Sequence, residues 1–199
     1  FVHADGWFAA KGIDVAPLSA PVPTIRALAD AAREADLPVV WLNWGVAPGA
    51  PNLPANALFR GKRTADAIGY AEGAPGALVA GTWGAATIDA LAPQAGDIYV
   101  SKQRFSGFPD APLDSVLRNL GVTTLLFVGV NIDRCVFATL MDASARGYVC
   151  LLVEDACATV SPPEIAATIV WLTAELHGFV CQAAAVQSAL ASPPPTERG

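Results

Sequence analysis

Thr123-Thr-Leu-Leu-Phe-Val-Gly-Val130 is an apolar run with almost no polar interruption, and Asn131-Ile-Asp-Arg-Cys135 follows it as a turn leading into a helix. A strand that reads this way is covered on both faces, as strands of parallel sheets are. Working outward, the segment to Arg146 reads as a helix with Val136, Leu140 and Ala143 on one face, and Gly147 stops it. Tyr148 to Val153 is another buried strand. Ser161-Pro-Pro-Glu164 has the form of a capping box, in which the hydroxyl serves an orphan N–H, Pro fits the first turn and Glu164 reaches back. Ile165, Ile169, Leu172 and Leu176 then line a helix ending at Gly178, and Phe179-Val-Cys181 closes the run as a short edge strand.

Upstream the same alternation holds. Thr24 to Ala35 reads as a helix with Ile25, Leu28 and Ala32 at helical spacing, and Leu37 to Asn43 as a strand. Pro48 to Pro54 is loop, Gly96 to Lys102 a strand, and Pro112 to Asn119 a helix ended by Gly121. Strands alternating with helices require crossovers, hence an α/β fold with a mostly parallel sheet between two helical layers, a three-layer α-β-α sandwich. One domain is expected over residues 1–190, followed by a Pro-rich C-terminal tail, 191–199.

Composition sets outer limits. Of 199 residues, 53% are apolar and 15% charged, with a formal charge of -6. So few charges favour collapse over disorder, and an acidic surface repels nucleic-acid phosphates. Leu125 to Val130 and Ile169 to Leu172 fall far short of the roughly 18 apolar residues that span a bilayer. Cys135, Cys150, Cys157 and Cys181 form no CxxC, which fits a reducing, cytoplasmic compartment better than a disulfide scaffold. With only His3 and His177 as imidazoles, zinc-type spacing is absent and no metal is expected.

Active sites in parallel sheets gather beyond the carboxyl ends of the strands. Two such ends carry chemistry. Lys102 closes one strand, before Gln103-Arg-Phe-Ser-Gly-Phe108, and Cys135 sits where the next strand turns into a helix. Free N–H groups at a helix start favour an anion, and a lysine nearby favours a thiolate further. A lone cysteine in an apolar helix is more often core than nucleophile, and a lone lysine more often a solvated strand end. The residues by themselves leave both readings open; Cys150, Cys157 and Cys181 lie in or beside buried strands and are read as core.

Gly129-Val-Asn-Ile-Asp-Arg-Cys-Val136, the helix with Asp142 and Gly147, and Leu152-Val-Glu-Asp-Ala156 together resemble the isochorismatase-like cysteine hydrolases. Ser101-Lys-Gln-Arg-Phe-Ser-Gly-Phe108, Gly81-Thr-Trp-Gly84 and Phe1-Val-His-Ala-Asp-Gly-Trp7 match the same family, so the resemblance runs from Phe1 to about Leu190. Within it, Pro51-Asn-Leu-Pro-Ala-Asn-Ala-Leu58 and Pro112-Leu-Asp-Ser-Val-Leu-Arg118 look most like ureidoacrylate amidohydrolases, with biuret and N-carbamoylsarcosine hydrolases as near relatives. Where the family's nicotinamidases carry metal ligands, this chain has Trp41-Leu-Asn-Trp-Gly45.

The resemblance implies a six-stranded sheet whose first, central strand lies before Phe1, and a triad of Asp, Lys and Cys. Lys102 and Cys135 match two members; the Asp is expected five residues upstream of Phe1. It follows that residues before Phe1 belong to the folded protein, since a chain lacking that strand should fold poorly. Asp5 is too far along to substitute, and in Ala-Asp-Gly it reads as a turn residue.

Further implications are an oxyanion hole from the backbone N–H groups of Asn131 and Cys135, a cis peptide joining Val130 to Asn131, and no cofactor. Phe1, Asn43, Trp44 and Phe105 are expected to bind substrate. Trp83 is expected at a helix start, and Arg134 is expected on a carboxylate, either of the substrate or of a neighbouring subunit. The activity implied is hydrolysis of a C–N bond in a small carbamoyl, ureido or amide compound by a homo-oligomer. The alternatives are vinyl-ether hydrolysis of the isochorismatase type and a catalytically silent binding or oligomerisation module.

Overall fold

The computed structural model describes residues 2–10, 12–49, 51–53 and 78–192. Two short helices, α1 (Trp7–Ala10) and α2 (Ala16–Ser19), precede α3 (Val22–Glu34), which starts on Pro21 with Pro23 in its first turn. Proline suits that position because the first N–H groups have no intrahelical acceptor. Strand β1 (Val40–Trp44) follows after the exposed Leu37, three residues later than the apolar run alone implies. The rest alternates: β2 (Ile98–Lys102), α4 (Leu113–Asn119), β3 (Thr124–Val130), α5 (Phe137–Ala145), β4 (Val149–Ala158), α6 (Pro163–Leu172), β5 (Phe179–Cys181) and α7 (Ala183–Ala191). Helices α1, α2 and α7 were not foreseen. Their alanine-rich stretches lack the apolar periodicity that marks an amphipathic helix.

All strand pairs are parallel, but they form two sheets. β1 pairs with β2, from Val40 opposite Ile98 to Trp44 opposite Lys102, and β3, β4 and β5 form the second sheet in that order. The described residues contain five strands in these two sheets; the expected six-stranded sheet, whose first strand was expected before Phe1, is not seen among them.

Helices cover both faces. Cys150 and Leu152 of β4 pack in one cluster with Leu113 and Leu117 of α4, Leu140 and Ala143 of α5 and Ile169 of α6. Val153, on the opposite face by strand alternation, packs instead with Ile25 and Leu28 of α3 and Ala183 and Val186 of α7. The first cluster also takes in Val100 of β2, with Val40 and Leu42 of β1 against it, so the two sheets share one core.

Two glycines are required by position. A Cβ on Gly178 would lie 2.2 Å from the Cys150 carbonyl oxygen, so only glycine lets the chain enter β5 this close to β4. Gly129 has φ +115°, in the left-handed region, where the register between β3 and β4 shifts from Phe127 opposite Leu152 to Gly129 opposite Cys157. That shift lets β4 run on to Ala158, five residues beyond the expected Val153.

One buried carboxylate ties α3 to the first sheet. Asp97, with a side chain 3% exposed, accepts hydrogen bonds from Arg33 Nε (3.0 Å) and Nη2 (2.7 Å), from Trp41 Nε1 (2.7 Å) and from the Gln94 N–H (2.8 Å). The Arg33 hydrogen bond wins over burial and holds this carboxyl at about 2. Since that lies below the unfolded value of 3.8, the stabilisation is full above about pH 4 and is lost as pH falls towards 2. Asp97→Asn should cost about 2 kcal/mol at neutral pH, and the difference from wild type should vanish near pH 2 in urea titrations.

Candidate active site

Strand pairing builds the first half of the site. Trp44 and Lys102 are register partners at the carboxyl ends of β1 and β2, so both side chains point to the same face. Lys102 is 1% exposed. Its ammonium donates to the Arg104 carbonyl oxygen at 2.7 Å and to Cys135 Sγ at 3.3 Å, and lies 4.0 Å from the centre of the Trp44 ring. Phe105 meets Trp44 edge to face, with centroids 5.7 Å apart. Burial pushes the Lys102 amine down from its ordinary value, against the pull of Cys135 in the other direction.

The second half comes from the turn after β3. Residues Ile132–Val136 form a single π-helical turn before α5, so Cys135 lies one turn ahead of the regular helix. The Asn131 carbonyl accepts from the Arg134 N–H at 3.1 Å and the Val136 N–H at 3.3 Å. The peptide joining Val130 to Asn131 is cis, as the resemblance implied. Cys135 is half-buried, against the cluster of Trp44, Val46, Leu53 and Leu78.

Two sets of hydrogen bonds fix this turn. The buried Asn131 accepts at Oδ1 from the Val160 N–H, 3.1 Å, and the Asp133 carboxylate accepts from the hydroxyls of Thr159 and of Ser161, the latter at 2.7 Å. Burial would raise the Asp133 carboxyl, but those hydroxyls and Arg134 outweigh it and hold it below the usual carboxylate range. Ser161 is therefore spent on Asp133, which corrects the expected capping box: α6 starts from Pro162 with no side-chain cap. The same hydroxyl accepts from the Arg134 guanidinium at 3.3 Å, so it is engaged both as donor and as acceptor.

The other set runs through Thr139. Its hydroxyl donates to the Cys135 carbonyl at 2.6 Å and accepts from the Gly107 N–H at 3.1 Å. One buried side chain thus joins the turn after Lys102 to the turn that carries Cys135. Gly107 has no room for more: a Cβ there would lie 2.4 Å from Leu42 Cδ2. Sequence reasoning passed over Thr139. The available signal was its position four residues after Cys135, where a threonine can bond the preceding turn.

The expected residues divide clearly. Lys102, Cys135, Trp44 and Phe105 come together, and Asn131 stands at the head of the turn. Asn43 faces the other way, its amide donating to Thr87 Oγ1 at 2.8 Å and to the Ala85 carbonyl at 3.3 Å. Arg134 is engaged within the chain, 3.5 Å from Asp133 and 3.3 Å from Ser161 Oγ. Trp83 opens a single 3-10 turn, Trp83–Ala85, and stands edge-on to the His3 ring. Phe1 lies outside the described residues, and the expected Asp lies outside the chain. Among the described residues no carboxylate forms an ion pair with Lys102, and no helix is long and apolar enough to cross a membrane.

The site thus sets an ammonium against a thiol at the carboxyl ends of parallel strands. The isochorismatase domain model matches residues 4–184. A ureidoacrylate amidohydrolase RutB of Methylobacterium radiotolerans is 35% identical over 97% of this chain and 76% of its own length. Among solved structures, a cysteine hydrolase from Pseudomonas syringae superposes with a TM-score of 0.75 at 27% identity, over 88% of this chain and 82% of the other. An N-carbamoylsarcosine amidase from Thermoplasma acidophilum does so with 0.66 at 28%, over 84% of each. The chain belongs to the isochorismatase family of hydrolases.

Thr139→Val keeps the shape of the side chain but leaves the buried Gly107 N–H without its acceptor. It should cost about 1–3 kcal/mol in urea unfolding, whereas Thr139→Ser, which keeps the hydroxyl, should stay within about 1 kcal/mol of wild type.

Proposed function

We propose that this hydrolase is a cysteine amidohydrolase acting on a C–N bond of a small carbamoyl, ureido or amide compound and releasing ammonia. The observation that carries the reading is the 3.3 Å contact between Lys102 Nζ and Cys135 Sγ. Relatives named for ureidoacrylate and N-carbamoylsarcosine support the substrate class.

In this mechanism a carboxylate supplied from before Phe1 takes the Cys135 proton, and the thiolate attacks the substrate carbonyl. The resulting oxyanion is received by the backbone N–H groups of Asn131 and Cys135, donors of a kind worth about 3–4 kcal/mol each to the transition state. As the tetrahedral adduct collapses, the carboxylic acid returns its proton to the departing nitrogen, and the C–N bond breaks to leave a thioester. Water, deprotonated by the same carboxylate, attacks the thioester carbonyl and regenerates the thiol. Lys102 stays protonated throughout and keeps thiolate and carboxylate ionised and aligned. No cofactor takes part. Phe105, with Phe1, walls the substrate, and Trp44 stands behind Phe105.

The same reading takes the enzyme as a cytoplasmic homo-oligomer, in keeping with four cysteines in the thiol form. Ammonia release across ureido acids, biuret and nicotinamide tests it. Turnover is expected on a ureido or carbamoyl member of the panel, and Cys135→Ala should reduce it by about a thousandfold or more. Unchanged turnover in that variant would remove the sulfur from the mechanism, and a panel wholly without turnover would favour a silent module.

A further inference from the structure

Lys102 is a cation with almost no access to water. Moving an ammonium out of water costs several kcal/mol unless other groups replace its hydration. Three neighbours do so among the described residues: the Arg104 carbonyl, the Cys135 sulfur and the face of Trp44. Only the first is a full hydrogen-bond acceptor in every protonation state. A thiol is a weak acceptor until it loses its proton. Among the described residues the indole face therefore supplies what the sulfur cannot before it ionises, beside the carboxylate proposed above from upstream of Phe1.

Trp44 is shaped for that task rather than for contact with a substrate. It is 5% exposed, so little of its surface is left for a ligand. The β1–β2 register sets it opposite Lys102, and Phe105 closes on it edge to face. Tryptophan is the best of the aromatic faces for a cation, and the attraction strengthens when both are desolvated.

We propose that Trp44 is a positioning residue for the nucleophile: its ring holds the Lys102 ammonium charged against Cys135, and so sets how readily the thiolate forms. The inference deepens the cysteine-hydrolase reading and rests on it. The titratable group that faces Lys102 among the described residues is Cys135, from the turn after β3. Arg104 offers its carbonyl while its guanidinium turns to Asp110 at 2.7 Å. Weakening the indole contact makes the ammonium easier to discharge, and a neutral amine gives the thiolate nothing to pair with. Thiolate formation then shifts to higher pH.

Alkylation of Cys135 by iodoacetamide reads this directly, with the adduct located by peptide mass mapping and the rate followed from pH 5 to 10. Trp44→Leu should alkylate about tenfold more slowly at neutral pH, with the midpoint of its profile moved upward. Trp44→Phe, which keeps a weaker face, should fall between it and wild type. Wild-type profiles in both variants would overturn the proposal, whatever happens to KM. Should Trp44→Leu fail to fold, as judged by its melt, Trp44→Phe alone decides, and an unchanged profile there is fatal. Because alkylation needs no turnover, loss of amide hydrolysis as the activity would leave this result standing by itself.

Discussion

A buried ammonium is the constraint around which this molecule is arranged. Lys102 ends a strand whose other inward residue, Val100, is ordinary core, yet it carries a full charge into the same interior. Among the described residues a carbonyl, a sulfur and an aromatic face converge on it from three different segments. Each of those segments must in turn be held. Strand pairing holds Trp44; the turn after Lys102 presents the Arg104 carbonyl; the π-helical turn delivers Cys135. Asn131, Asp133 and Thr139 are polar residues spent on keeping that last turn in place.

The pair Asp133 and Thr139 illustrates how a reactive centre is stiffened without adding reactive groups. Both lie within four residues of Cys135, and both spend their oxygen atoms on hydrogen bonds to other parts of the chain. Asp133 recruits the loop beyond β4, and Thr139 recruits the turn beyond β2. The cysteine is thereby referenced to both sheets. The oxyanion hole proposed above depends on this, because its backbone donors have no rotamers with which to correct an error.

Much of this was legible in the amino-acid pattern. The apolar runs ending at Lys102 and Val130 announced parallel strands and put Lys102 and Asn131 at their carboxyl ends. Cys135 followed because a turn of three residues separates Asn131 from it. Motif resemblance, and not periodicity, supplied the cis peptide. What stayed hidden had two causes. Asn43 and Trp44 are neighbours on one strand, and only the register with β2 shows which of them faces Lys102. Ser161 read as a cap because capping is a local rule, whereas its partners, Asp133 and Arg134, come from a different strand end. The sixth strand of the expected sheet came from the resemblance alone and from no residue of this sequence.

The two-sheet arrangement bears on how the centre keeps its dimensions. Among the described residues no backbone ladder crosses from β1 to β3, so the Lys102 half and the Cys135 half are joined by side chains: Leu42 and Val100 against Leu140, and the Thr139 bridge. The nitrogen–sulfur separation is thus set in part by one hydroxyl held on both sides, a short strut between two turns.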